Sequence, residues 1–462
     1  MRINRMAKFL LIDFGTTSTK SMIFDINSGN FSNPLTYTAL KNCATLAGYH
    51  EFDMYEVKKR FEEICLNNYS IYPFSGIMLC SEMHGFSVLD SKNKPLSNYI
   101  SWKDERSAEK QGKNDSAFTD FCKFWKNDFK KITGMKPRPG FMPMSLLHIS
   151  STTKFPQTIH IVDLPGWLSI STGNPTGYIH KTMLAGLGVY DVKREQIAEN
   201  IVSWLSQKIG ADIKLDIPTE EITISGYWNN VPIYVGVGDH QCSLLGAGVT
   251  DGSSLSINIG TGAQISAINP TVFPKEAEIR PFFFDFHLRT ITHIPGGRAL
   301  TTYIDFLQQL VDPGHDIWLD LSSTTVAEIS NSNLIFQLGI FPGARGYTNG
   351  GSIRRIKEGE FNKANYLSSL LRSFAEQYIE IFEYFGPETP KKKLIFSGGI
   401  ARRLPSFVEF IKERTSYSVV GATDVDESLM GLRLIALLAT GRTKDLISAQ
   451  KYFKKTTAII EN

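Results

Sequence analysis

The sequence predicts an α/β protein of two related lobes flanking a central cleft, and three observations lead to it. Short apolar runs of strand length alternate with longer amphipathic stretches. A strand–turn–strand unit near the start returns in altered form roughly half a chain later. The chain has 462 residues, too many for one ordinary domain, yet no low-complexity linker divides it.

The first unit is the apolar run 9–13, the turn Phe14-Gly-Thr-Thr-Ser-Thr-Lys20 and a second strand over 21–25. Its counterpart is Leu255-Ser-Ile-Asn-Ile-Gly-Thr-Gly-Ala-Gln-Ile-Ser266. Aligned on their turns, Gly15 and Thr16 fall on Gly260 and Thr261, and Asp13 falls on Asn258. Between and after them the patterns predict helices over 55–66, 366–385, 404–415 and 427–438, and buried strands over 76–80, 233–237 and 393–397. The lobe boundary is expected just after Asp239, which gives an N-terminal lobe of 1–241 and a C-terminal lobe of 242–462.

Composition narrows the function. The 49 basic and 46 acidic residues leave a net charge of +3, too small to argue for nucleic acid or an anionic membrane. The short run Lys391-Lys392-Lys393 reads as a solvated loop. Five cysteines (Cys43, Cys65, Cys80, Cys122 and Cys242) are dispersed and form no C-x-x-C pair, which argues against a disulfide framework or a zinc site. The apolar run 9–12 is too short for a signal peptide or a membrane span, so a cytoplasmic location is expected.

The usual nucleotide loops, G-x-x-x-x-G-K-[ST] and G-x-G-x-x-G, are absent. Four small turns stand in their place: Asp13-Phe-Gly-Thr-Thr17, Gly238-Asp239, Gly260-Thr261-Gly262 and Ser397-Gly398-Gly399. Each follows a strand, where glycine admits a ligand to the backbone and N–H and hydroxyl groups can donate to phosphate.

Taken in order, these turns resemble the motifs of the FGGY carbohydrate kinases, members of the actin-like (ribonuclease H-like) superfamily. Leu11-Ile-Asp-Phe-Gly-Thr-Thr-Ser-Thr-Lys20 is similar to the first phosphate motif, Gly260-Thr261-Gly262 to the second, and Phe396-Ser-Gly-Gly399 to the adenosine motif. Glu82-Met-His-Gly85 resembles the Q-M-H-G segment of the ketose kinases, Trp102-x-Asp104-x-Arg106 their W-x-D-x-R segment, and Gly238-Asp239-x-Gln241 their catalytic aspartate turn. Two family signatures depart: Ser145-Leu-Leu-His148 stands where K-L-x-W is usual, and Arg355 stands where a glycine is usual.

The resemblance implies an ATP- and Mg²⁺-dependent kinase of a small sugar. Gly15, Thr16, Thr17, Ser18, Gly260, Thr261, Gly262, Gly398 and Gly399 would hold the nucleotide, and Asp13 the metal. Glu82, Met83, His84, Trp102, Asp104, Asp239 and His240 would hold the sugar. A hydroxyl is a poor nucleophile and needs a base as it attacks, which is the role expected of Asp239. Plainer readings stay open at this point: Asp13 as a turn cap, His84 as a packed histidine, Trp102 as core, Lys20 as a solvated lysine, and Cys242 as a small buried side chain.

The stretches 238–243, 279–290 and 294–298 resemble the sedoheptulokinases, so sedoheptulose is the expected substrate and xylulose its nearest rival. A non-catalytic actin-like nucleotide- or sugar-binding protein is the alternative from another class. The expected partners are sugar and ATP, with no nucleic acid and no membrane; a homodimer stays open, since the residues do not reveal the oligomeric state.

Overall fold

The computed structural model describes residues 8–110, 115–268, 277–341, 350–383, 385, 393–421 and 426–452. Of the basic run 391–393, Lys391 and Lys392 lie outside the described residues. Two compact units are present, and neither is a single stretch of chain. The first draws on Met1–Gly246, Ile279–Phe286 and Val425–Asn462, the second on Ala247–Glu278 and His287–Asp424. Among the described residues, no helix is long and apolar enough to cross a membrane.

The first unit is built on a sheet in the order Ile224–Trp228, Val231–Tyr234, Ile77–Ser81, Lys8–Phe14, Ser18–Asp25, Leu35–Thr38. Lys8–Phe14 and Ser18–Asp25 form the expected hairpin, with Asp13 opposite Lys20. On its other side Lys8–Phe14 runs parallel to Ile77–Ser81, which sets Asp13 beside Cys80. Phe9, Leu10, Leu11 and Ile12 are all fully buried, as expected for a central strand covered on both faces.

The helix expected over 55–66 runs further, Met54–Ile71, capped by Asp53 accepting from the Tyr55 and Glu56 amides. Its last turn carries Asn67, Asn68 and Ser70, which conceals the continuation from apolar patterning. The single strand expected over 233–237 is two pieces. Val231–Tyr234 ends where the Val235 amide turns to the Thr223 carbonyl (2.9 Å), and Val237–Gly238 rejoins Ile77–Ser81 beside Cys80 and Ser81.

The boundary expected after residue 241 is therefore corrected. Helix Glu427–Ala439 belongs with the first unit because Ser428 through Leu437 are buried on every side and need cover all round. Helix Asp239–Gly246 supplies part of that cover. A Cβ at Gly431 would lie 2.0 Å from the Cys242 carbonyl oxygen, and one at Gly246 would lie 1.8 Å from that of Glu427, so only glycine permits this crossing.

The second unit repeats the plan. Ser254–Ile259 and Gly262–Ile268 form a hairpin, with Asn258 opposite Gln264, and Ser254–Ile259 runs parallel to Lys393–Ser397 on its other side. His287–Pro295 and Ser418–Val420 extend this sheet at either side. Helix Lys363–Glu383 lays Tyr366, Leu367, Leu370, Leu371, Phe374 and Tyr378 into the core at helical spacing. It begins three residues before the expected start at 366. Helices Pro405–Arg414 and Glu427–Ala439 match expectation within a residue.

The two signature departures have distinct local accounts. Ser145 is fully buried in helix Met142–Ser150, and His148 Nε2 lies 3.0 Å from the Tyr49 hydroxyl. Tyr49 in turn meets Glu109 at 2.8 Å and lies under the Arg106 guanidinium, so this histidine joins the loop that carries the W-x-D-x-R residues. Arg355 adopts φ 62°, the left-handed conformation for which a glycine would be suited.

Candidate active site

In the first unit, three carboxyl groups gather around the end of the first hairpin. Asp13 is only 8% exposed and receives the Cys80 thiol at 3.4 Å. Burial, followed by the charges of Asp239 and Asp426, pushes its pKa up to about 7. Asp239 opens helix Asp239–Gly246, and its Oδ1 accepts from the His240 amide at 2.7 Å. Burial pushes Asp239 up to about 7; the His240 amide opposes the shift, Glu82 adds to it, and the Arg280 charge again opposes it. Glu82 is 2% exposed, and burial takes it to about 7 against opposing contributions from Ser101, Lys103, Thr16 and Tyr99. Burial is the first cause of the upward shift in all three acids, so their ionised forms are disfavoured together.

The turn beside Asp13 is small and open. Gly15, Thr16 and Ser18 are partly exposed and Thr17 is exposed, and Lys20 on the returning strand forms a 2.5 Å ion pair with Asp426, the N-cap of helix Glu427–Ala439. Lys20 is thus neither a freely solvated lysine nor one turned wholly to the site. Trp102 is 45% exposed, so it is not core, and its indole N–H donates to the Thr16 hydroxyl at 3.2 Å. That bond ties the W-x-D-x-R loop to the Gly15–Ser18 turn.

The Glu82-Met-His-Gly85 segment adjoins Gly238 and Asp239. Met83 is buried, and its sulfur fills the space that a Cβ on Gly238 would need. Met83 therefore packs beneath the Gly238-Asp239 turn. His84 takes φ 74°, stacks on Phe141 at 4.8 Å between ring centres, and sets its Nδ1 2.6 Å from the Gly186 carbonyl. That carbonyl can only accept, so Nδ1 carries a proton, and the ring orientation is fixed by packing and hydrogen bonding together.

Asp104 is fully buried, and its two oxygens accept from the His50 amide (2.7 Å) and from the Arg106 amide and guanidinium (2.7–3.0 Å). A carboxylate so fully engaged holds the loop together, with Glu51 as the second partner of Arg106. His240 stays at the site, with its Nδ1 3.4 Å from Arg280 Nη1.

In the second unit, the Gly260 amide donates to the Gly262 carbonyl at 3.0 Å, closing a tight turn, and Thr261 and Gly262 are exposed. The turn is braced from behind, where the Gly297 and Arg298 amides donate to the Gly260 and Thr261 carbonyls at 2.8 and 2.9 Å. Gly398 has φ 90°, and a Cβ there would meet the Ile259 carbonyl oxygen at 2.4 Å; beside Gly399 there is open space. The expected site residues thus divide between the units, Asp13 through His240 in the first and Gly260 through Gly399 in the second.

Sequence reasoning missed Asp426, Arg280, Tyr99 and Ser101 as neighbours of these acids. Asp426 had a readable signal as an Asp standing before an apolar helical run, but nothing local says that it faces Lys20.

Residues 8–153 match the model of the N-terminal domain of the FGGY family of carbohydrate kinases. Xylulose kinases of two strains of Staphylococcus epidermidis are 25% identical in an alignment of length 279 that covers 55% of this chain and spans about half of their own length, 51%. Among solved structures, a ligand-bound xylulose kinase from Lactobacillus acidophilus aligns with TM-score 0.80 at 18% identity, over 98% of this chain and 94% of that one. Plasmodium falciparum glycerol kinase with ADP aligns with TM-score 0.81 at 17% identity, over 99% and 95%. At such identities the likeness establishes the fold, which is the actin-like two-lobe fold of these kinases. The chain therefore carries, in residues 8–153, an N-terminal domain of the FGGY family of carbohydrate kinases.

Proposed function

We propose that this protein transfers the γ-phosphoryl group of ATP to a hydroxyl of a ketose, with Asp239 as the base. The observation that carries this reading is Asp239 itself. It is a partly buried carboxyl with a pKa near 7, next to a histidine, on the unit that also bears the Gly15–Ser18 turn and the Trp102 face. A base of that strength suits proton acceptance near neutral pH. A nucleotide clamp serving only as a scaffold has no use for it.

In this reading Gly15, Thr16, Thr17 and Ser18 donate to the phosphates, as do Gly260, Thr261 and Gly262, while Gly398 and Gly399 lie along the adenosine. His84, Trp102, Glu82 and His240 contact the sugar, with Met83 and Asp104 supporting them from beneath. Asp13 fits Mg²⁺, since its buried carboxyl is opposed by two other negative groups, Asp239 and Asp426, and the one cation set against it, Lys20, is engaged by Asp426. Magnesium keeps most of its water and uses few protein ligands, so one carboxylate suffices. When bound, the ion would neutralise phosphate charge during transfer.

Sedoheptulose, giving sedoheptulose 7-phosphate, is our first substrate reading, based on the 279–298 stretch. Xylulose is the second, favoured by the likeness to the xylulose kinases of Staphylococcus epidermidis and Lactobacillus acidophilus. ADP release in the presence of single ketoses distinguishes them: the preferred sugar has the highest kcat/KM. Equal ADP release with and without every ketose would sink the reading.

The adenosine assignment has its own test. Gly398→Ala forces a left-handed alanine against a carbonyl, so it should cost about 1–3 kcal/mol and lower Tm. Gly399→Ala meets nothing within the protein, so Tm should hold while KM for ATP rises about fivefold or more, the equivalent of roughly 1 kcal/mol of lost binding. Unchanged KM for ATP in Gly399→Ala would remove this turn from the nucleotide site.

A further inference from the structure

Residues Ile279–Phe286 belong to the first unit although the chain on either side belongs to the second. An eight-residue excursion of this kind needs anchors, and it has them along its length. The Ile279 amide donates to the Gly134 carbonyl at 2.9 Å, and the Gln241 side-chain amide donates to the Pro281 carbonyl at 3.2 Å. Phe282 and Phe283 are buried. At Phe284 the backbone turns through φ 55°, its amide donating to both carboxylate oxygens of Glu221 at 2.7 Å and its carbonyl accepting from Lys181.

Glu221 is the centre of that anchorage. It pairs with Lys181 at 3.1 Å and faces His180 Nε2 at 3.5 Å. Burial alone would raise its pKa, but His180, Lys181 and the Phe284 amide outweigh burial and hold it below its usual value. The network does not stop there. His180 meets the Thr182 hydroxyl at 2.8 Å, and that hydroxyl accepts from the Gly238 amide at 3.0 Å, one residue before Asp239. Glu221 thus reaches the aspartate turn from two directions, through His180–Thr182 and through the anchored segment.

The anchored segment carries Arg280. The residue is 4% exposed, and its guanidinium lies 3.4 Å from His240 Nδ1 and bears the positive charge that favours the ionised form of Asp239. A buried arginine is costly unless it faces an anion, and its fixed planar fork orients what it meets.

We infer that Arg280 is a positioning residue for Asp239 and His240, and that Glu221 is the latch that holds it there. The kinetic part of this inference rests on the reading of Asp239 as the base; the pairing of Arg280 with Asp239 does not.

The experiment has two arms. In the kinetic arm, Arg280→Met should lower kcat for the ketose about tenfold or more with KM for ATP within about twofold, and Arg280→Lys should restore part of the loss. Glu221→Gln should act in the same direction, and adding it to Arg280→Met should slow the enzyme by less than Glu221→Gln does alone, the remainder running through His180–Thr182. Independent, multiplying effects, or no effect of Arg280→Met, would overturn the latch. The second arm needs no activity. In urea unfolding, Arg280→Met should cost less in an Asp239→Asn background than in the unsubstituted protein, by about fivefold or more in the unfolding constant. Strict additivity would overturn the pairing. If no ketose stimulates ADP release by the unsubstituted protein, the kinase reading fails, and the unfolding cycle still decides whether Arg280 serves Asp239.

Discussion

With asparagine in place of Asp239, kcat for ketose phosphorylation falls about 10²- to 10⁴-fold while ATP and sugar still bind. That loss corresponds to about 3–5 kcal/mol of barrier. Asparagine keeps the size of the side chain and can still accept from the His240 amide, so the helix start is preserved. What disappears is the carboxylate that, in the proposed function, takes the hydroxyl proton. The unsubstituted protein should also show its base in the pH profile. With a pKa near 7, Asp239 is increasingly protonated below that pH, and kcat/KM should fall about tenfold per pH unit on the acid side. Sugar Kd from calorimetry, set beside kcat, separates this from lost binding. A loss of kcat smaller than about tenfold would mean that the proton goes elsewhere.

The second large effect belongs to Asp13, and it runs in opposite directions for activity and stability. Asp13→Asn should lower kcat by about 10²- to 10³-fold, the scale for removing one preorganised electrostatic element from a transition state. In metal-free solution the same variant should be more stable than the unsubstituted protein at pH 8. The native carboxyl has its pKa raised from 3.8 to about 7. Between those values the folded form holds a proton that the unfolded chain has already released, so stability falls as pH rises through this window. Above pH 7 the whole cost is present, on the order of 2–4 kcal/mol, and asparagine avoids it. Thermal unfolding of both proteins at pH 4 and pH 8 checks this: the difference in Tm should be small at pH 4 and favour Asp13→Asn at pH 8. A variant less stable at pH 8 than the unsubstituted protein would mean that Asp13 is stabilised by its surroundings, which would remove the electrostatic case for a cation there.

Much of this was legible in the sequence because the relevant signals are local. The hairpin at Asp13 announces itself by four apolar residues, a carboxylate and a Gly-Thr-Thr turn, all of which short-range physics interprets. Its second copy at Gly260 is visible for the same reason. The helix at Glu427 was legible as a helix, but its place in the first unit was not, because nothing in residues 427–438 says which sheet covers them. The glycines Gly246 and Gly431 matter only because they meet.

The site residues follow the same division. Asp239 falls where a turn pattern leads, and Trp102 where the family resemblance leads. Met83 and Asp104 carry the same motif letters, yet one fills the hollow at Gly238 and the other is taken up by Arg106 and His50. Only the surroundings separate a motif residue that is open to solvent, as Trp102 is, from one that is enclosed by its neighbours. Arg280 lay in a quoted stretch without an assigned task, since its partners Asp239 and His240 are some forty positions away and its latch, Glu221, lies on yet another segment.

The most direct test of the whole account is to identify the product. The protein is incubated with ATP, magnesium and each ketose in turn, and the sugar is recovered and analysed by mass spectrometry alongside the ADP formed. The account predicts a ketose that has gained one phosphoryl group, in step with ADP, and almost none with Asp239→Asn under the same conditions. ADP formed without any phosphorylated sugar, or a phosphorylated sugar made equally well by Asp239→Asn, would contradict it.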